Sequence, residues 1–184
     1  LVRSRGLGDV YKRQEWGFPG DKVGMIENNT MRTVATANIR SFKAIDEYEF
    51  ELELTSDLPE EIGVGAALEN LTWTPDVDIR NSFFGSCRAR GLLVSTPGKV
   101  VIENNVFESS GSAILIAGDA NYWYESGAVK DVLIKGNDFR YPCMSSMYQF
   151  CEAIISIEPE IPQPDTKYPF HSNIRIENLS LIHI

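Results

Sequence analysis

A chain of 184 residues with 43% hydrophobic content can bury a sizeable core, yet no apolar run approaches the 18 residues of a membrane-spanning helix. The net charge of −9 opposes binding to phosphate backbones, which relies on clustered Lys and Arg, so the expected partner is neutral, hydroxyl-rich or cationic, with no nucleic acid and no membrane. Three cysteines without CxxC spacing and only two histidines argue against zinc, and no cofactor is expected.

The first 14 residues, LVRSRGLGDVYKRQ, read as neither a signal peptide nor a strand. Together with the closing LSLIHI (residues 179–184) they look like translated sequencing-adapter sequence, and both ends are expected to be extraneous to the natural protein. Setting residues 1–14 aside removes four cations and one anion and leaves −12. Residues 15–72 then read as a small antiparallel, barrel-like β subdomain. FPGDKVGMI, TVATANIRSFKAI and YEFELEL alternate or nearly alternate, with turn signals at Pro19-Gly20, Asn28-Asn29 and Asp46-Glu47. Tyr48, Phe50, Leu52 and Leu54 would share one strand face. Residues 56–65 read as a loop or a short helical turn. Sequons at Asn28, Asn70 and Asn178 meet the glycosylation pattern, which also arises by chance.

From residue 73 to 178 a repeat takes over. VDIRNSFF (residues 77–84), VVIENNVF (100–107) and VLIKGNDF (132–139) share a β-branched first residue, isoleucine third, a charge fourth, Asn or Gly fifth and phenylalanine eighth; IRIEN (174–178) opens a fourth copy. The isoleucines are 23, 32 and 42 residues apart, and between the copies lie second apolar runs, RGLLVST, SAILIAG and EAIISIEP. One copy cannot close its own hydrophobic face, so stacking is expected. The expected fold is therefore all-β, a right-handed parallel β-helix of three coils and part of a fourth, preceded by the antiparallel subdomain. Ile79, Ile102, Ile134 and Ile176 should form one column, and Phe84, Phe107 and Phe139 another. Asn81, Asn104 and Asn178 fall where the chain bends; asparagine tolerates left-handed φ there and can form a hydrogen-bonded ladder, with Gly136 serving the third copy.

Two insertions interrupt the short corners, DANYWYESGAVKD (119–131) and RYPCMSSMYQFC (140–151). Cys143 and Cys151 flank the second and either pair in an oxidising compartment or stay as buried free thiols. In the first, Asp119, Tyr122, Trp123, Tyr124 and Glu125 suit a carbohydrate pocket, because aromatic faces stack on sugar rings and carboxylates hold hydroxyls. The alternative is a loop whose aromatics pack down while its acids face water. Arg88 and Arg90 could grip hydroxyls or make structural salt bridges. Asp76 and Asp78 could share acid and base work, or be solvated edge charges, as could Asp131 and Asp138. His171, without a nearby acid in sequence, reads as a surface residue.

The run CRARGLLVSTPGKVVIENNVF followed by GSAILIAGDANYWYESGAVKDVLIKGNDF resembles glycoside hydrolase family 110, bacterial α-1,3-galactosidases that remove terminal galactose from blood-group-B-type and linear chains. The resemblance runs from Glu15 to Asn178, including the WGF-PGD start and the ENLTWTPDV lead-in to the repeats. It implies exo-acting, inverting, metal-independent hydrolysis on a right-handed parallel β-helix with β-barrel elements, in a secreted or periplasmic protein. The family's paired-aspartate motif would precede the WGF segment, and no adjacent Asp-Asp occurs in the 184 residues, so the catalytic residues are unknown. The chain thus reads as a downstream portion of such an enzyme, inactive alone. Trp16, Arg88, Arg90, Asp119, Trp123 and Glu125 are the candidate contacts to a galactose-terminated glycan, chosen for chemistry and loop position, or supports behind such contacts. Two other readings are a non-catalytic β-helix module that binds glycans or supports an extracellular assembly, and a polygalacturonase-like hydrolase or lyase, which the chain's acidity disfavours because its substrates are anionic.

Overall fold

The computed structural model describes residues 2–3, 16–46, 49–120, 127–140 and 153–182. Trp123, Glu125, Cys143 and Cys151, on which the sequence placed part of a pocket and a possible disulfide, lie outside the described residues. Among those described, the chain is all-β; its one helical element is a single 3-10 turn, Leu71–Trp73. It divides into two compact units, one of residues 1–74, 119–127 and 161–168, the other of residues 75–118, 128–160 and 169–184.

In the first unit, β1 (Val2–Arg3), β2 (Lys22–Ile26), β3 (Thr33–Ala44), β4 (Glu49–Leu54) and β5 (Ala67–Asn70) form one antiparallel sheet in the order β1-β4-β3-β2-β5. β2 lies between β3 and β5, so Val23, Met25 and Ile26 are almost wholly buried. In β4 the expected alternation holds: Phe50, Leu52 and Leu54 are half-buried while Glu51 and Glu53 face solvent. Gly20 takes a φ of 100° in the turn before β2, a conformation closed to most residues. The turn from β2 to β3 is organised by Glu27, which accepts from the amide and hydroxyl of Thr30 and from the amide and side chain of Asn29. Burial alone would raise the Glu27 pKa, but these donors, Thr30 first, lower it to about 2.

The second unit is parallel throughout. Its chain runs through three strands per repeat: β6 (Val77–Arg80), β7 (Phe83–Cys87) and β8 (Arg90–Val94); then β9 (Lys99–Glu103), β10 (Val106–Ser109) and β11 (Ser112–Gly118). β12 (Asp131–Lys135), β13 (Asp138–Arg140) and β14 (Ile155–Pro159) follow, then β15 (Ile174–Glu177) and β16 (Ser180–Ile182). Like strands pair with like, giving three sheets in the orders β15-β12-β9-β6, β16-β13-β10-β7 and β14-β11-β8. Ile79, Ile102, Ile134 and Ile176 are register partners in sequence, as are Phe84, Phe107 and Phe139. The phenyl rings stack at 4.9 and 5.3 Å between centroids, and Ile102, Ile134 and Phe107 are fully buried. Each such side chain contributes roughly 1.5–3 kcal/mol relative to exposure, which is what holds successive repeats together.

The corners Asn81-Ser82, Asn104-Asn105, Gly136-Asn137 and Asn178-Leu179 each divide a copy into two strands, so the phenylalanine column lies in a different sheet from the isoleucine column. One detail differs from the sequence reading. Asn81, Asn104 and Asn178 do take left-handed φ of 50°, 56° and 51°, and Gly136 takes 63°. The buried ladder, however, is built one residue later, by Asn105 and Asn137, both 0% exposed. Asn137 Oδ1 accepts from Asn105 N at 2.9 Å and from Asn105 Nδ2 at 3.1 Å, while Asn137 Nδ2 donates to Ile102 O. Asn105 in turn donates to Ile79 O and accepts from Ser82 N. The reason is geometric: the left-handed residue turns its own side chain outward and directs the next one into the interior, where unpaired backbone groups must be satisfied. Although the sequence reading set residues 179–184 aside, Ser180–Ile182 pairs in register with β13 and places Leu181 opposite Phe139.

The outer face carries a charge file. Arg80, Glu103, Lys135 and Glu177 are successive register partners, alternating in sign; Glu103 bonds Arg80 and lies 3.7 Å from Lys135. Slipping any strand by one residue would break this file and turn the isoleucines outward together.

Candidate functional site

In the first unit one carboxylate gathers three chain segments. Asp21 is 8% exposed, and its Oδ2 accepts from Phe18 N at 3.0 Å, Asn70 Nδ2 at 2.9 Å and Trp73 Nε1 at 3.1 Å. The Asn70 amide beside it, with help from Phe18 and Trp73, holds its pKa below the usual carboxylate range despite the opposing pull of burial. Asn70 also donates to Trp16 O at 2.9 Å and caps the 3-10 turn by accepting from Thr72 N. With its amide hydrogens donated to Trp16 O and Asp21 Oδ2, Asn70 is a structural hub. Trp16 is half-buried, with its ring tilted against Phe42 at 6.5 Å. Trp73 stands differently: its indole N–H is anchored while the residue remains 66% exposed.

The ends of the aromatic loop belong to the same unit. Asp119 is buried, 2% exposed, at its start. Gly127 at its end donates to Glu69 Oε1 of β5 at 3.1 Å, and a β-carbon there would approach Glu69 Oε2 to 2.9 Å. A side chain at this position would require the flexible Glu69 carboxylate to shift.

Arg88 and Arg90 belong to the second unit. Arg88 is exposed in the bend after β7, and Arg90 opens β8, half-buried and in register with Ser112 of β11. The Ser112 hydroxyl is spent on Ala153 O at 2.7 Å and on Ser156. The acids considered for proton transfer have structural partners. Asp76 accepts from Lys99 N, Asp78 from Arg80, Asp131 from Asn173 and Asp138 from Arg140. No group of three or more His, Cys, Asp or Glu among the described residues is arranged to hold a metal ion.

His171 is not the surface residue the sequence suggested. Its Nδ1 accepts from Val129 N at 3.1 Å, its Nε2 is buried, and its ring meets Phe170 edge-on. Burial, and secondarily the Lys130 charge, pull its pKa from 6.5 to about 4. The imidazole is therefore neutral, with its proton on Nε2.

The structure thus groups Trp16 and Asp119 in one unit and Arg88 and Arg90 in the other. What sequence reading missed is the Asp21–Asn70–Trp73 hub. Its partners are 49 and 52 residues from Asp21, so no local spacing marks it; the one available signal is a tryptophan directly after an Asn-Leu-Thr turn sequence.

Residues 14–68 match the family model GLAA-B beta-barrel domain II. Among curated proteins, the chain is 65% identical over 175 residues to alpha-1,3-galactosidase B of Bacteroides thetaiotaomicron, covering 95% of this chain and 28% of that protein. It is 44% identical over 175 residues to alpha-1,3-galactosidase B of Parabacteroides distasonis, covering 89% and 28%, and 45% identical over 165 residues to alpha-1,3-galactosidase A of Bacteroides fragilis, covering 88% and 27%. The chain therefore spans little more than a quarter of the length of these relatives.

Proposed function

The chain belongs to the family of the bacterial alpha-1,3-galactosidases, and from that membership we propose that it is part of an enzyme that removes terminal α-1,3-linked galactose from glycans. The observation that carries the reading is the 65% identity extending over 95% of the chain. In this reading the second unit is a stretch of right-handed parallel β-helix, supported by its in-register parallel sheets, and the enzyme acts outside the cytoplasm on exposed glycan ends.

The proposed reaction is exo-acting hydrolysis with inversion. One carboxylic acid protonates the departing glycosidic oxygen while a second carboxylate deprotonates a water attacking the opposite face of the sugar, the two standing about 6.5–9.5 Å apart. Asp76, Asp78, Asp131 and Asp138 are poor candidates, being committed to local donors. The acid and base are assigned to a part of the enzyme outside these 184 residues, and the chain by itself is expected to be inactive. Trp16, Arg88, Arg90, Asp119, Trp123 and Glu125 remain its candidate glycan contacts or their supports.

The test is hydrolysis of an α-1,3-linked galactose disaccharide followed by proton NMR, for this chain and for a protein extended to the length of its relatives. The expected result is β-galactose as first product from the long protein and none from the chain. Release of α-galactose first would refute inversion, and enzyme-like turnover by the chain alone would refute the placement of the acids. A second reading, a glycan-binding module without catalysis, is favoured by the structural use of Asp76, Asp78, Asp131 and Asp138.

A further inference from the structure

We propose that Trp73 is a carbohydrate-stacking platform that takes one apolar face of a neutral pyranose ring in a galactose-containing glycan. This rests on the reading of the protein as one that handles glycans. Trp73 is 66% exposed, and the flat apolar surface of an indole gains from leaving water when a ligand covers it. The hydrogen bond from Nε1 to Asp21 fixes the orientation of the ring at its polar edge and leaves apolar surface outward. A ring held in this way loses little freedom when a ligand arrives, the condition under which a small flat contact yields usable affinity.

The holding group is itself stable. Asp21 receives Phe18 N and Asn70 Nδ2 as well as the indole, and these donors keep it ionised at neutral pH. The 3-10 turn carrying Trp73 is capped by Asn70 and tied to β2 by the bond from Lys22 N to Thr72 Oγ1 at 2.8 Å. The aromatic is therefore mounted on the barrel sheet through side-chain bonds to residues about 50 positions away and does not hang from a loose loop. The chemistry of the ligand follows from charge: a net −9 repels acidic sugars and phosphates, whereas a neutral hexose offers C–H groups on one face for the indole.

The experiment titrates the purified chain with methyl α-galactoside and with an α-1,3-linked galactose disaccharide, read by saturation-transfer NMR and tryptophan fluorescence. Wild type should bind, and Trp73→Ala should weaken binding by about tenfold at an unchanged circular dichroism spectrum. Trp73→Phe, which keeps a ring but loses the Nε1 bond, should fall between them. As a positioning residue, Asp21 should tolerate Asn, which preserves an acceptor, better than Ala. Tyr168→Ala, an exposed aromatic of the same unit, should bind as wild type. Undiminished binding by folded Trp73→Ala, absence of binding by wild type at millimolar ligand, or a self-association that Trp73→Ala abolishes would each overturn the proposal. In a full-length enzyme, Trp73→Ala should raise KM for a long glycan and spare kcat on a simple aryl galactoside. Failure of hydrolysis in every variant with binding still lost in Trp73→Ala would sink the enzymatic reading alone.

Discussion

Replacing Asn137 by alanine tests the interior ladder against the corner that sequence alone would have chosen. Asn137 is fully buried and makes three hydrogen bonds, two accepted from Asn105 and one donated to Ile102 O. Alanine would leave Asn105 N–H, one Asn105 amide hydrogen and the Ile102 carbonyl without those partners, at about 1–3 kcal/mol for each unsatisfied group. Some relaxation and entry of water reduce the sum, so the expected loss is about 3–5 kcal/mol, a large share of the ~5–15 kcal/mol stability of a typical domain. The comparison is Asn104, whose side chain is exposed and whose φ is 56°. There glycine should be neutral within ~0.5 kcal/mol and alanine should cost about 1 kcal/mol through backbone strain. Urea unfolding followed by circular dichroism measures all three variants. A loss below about 1 kcal/mol for Asn137→Ala, or a greater loss for Asn104→Ala, would refute the assignment of the ladder.

Phe107 lies between Phe84 and Phe139, and Phe107→Ala should cost about 3–5 kcal/mol against about 1.5 kcal/mol or less for Phe107→Leu, measured by the same unfolding. Because the folded His171 pKa, about 4, lies below its unfolded value of 6.5, its contribution is full above pH 6.5, declines as pH falls towards 4 and changes no further below that. The loss should be roughly 2 kcal/mol after solvent screening, and a melting-temperature profile from pH 7 to 4 should flatten in His171→Gln. Glu103→Lys would set three cations in a row with Arg80 and Lys135; the expected loss of about 1–2 kcal/mol should shrink at 1 M salt, and a salt-independent loss would contradict the charge file.

The repeats were legible because stacking imposes the same demand on each copy: an apolar side chain at the same offset, every time. Ile102 and Phe107 reveal their roles by recurrence, and so does left-handed φ at Asn104. The ladder was harder to see because Asn105 and Asn137 have Ser82 and Leu179 at the corresponding places, so a two-member set does not announce itself as a period. In the first unit, alternation in EFELEL marked its strand well. Asp21, Asn70 and Trp73 meet only through tertiary folding across about 50 residues, and no local pattern encodes such a meeting. His171 misled for the same cause: its partner Val129 is 42 residues away.

The claim beneath all of this is that successive repeats lie parallel and in register. Methyl-labelled protein offers the direct measurement, a nuclear Overhauser spectrum of Ile79, Ile102, Ile134 and Ile176. Neighbouring strands about 4.8 Å apart should give strong cross-peaks between Ile79 and Ile102, Ile102 and Ile134, and Ile134 and Ile176, in that chain order. Absence of the Ile102–Ile134 cross-peak, or cross-strand contacts of antiparallel type between those segments, would contradict it.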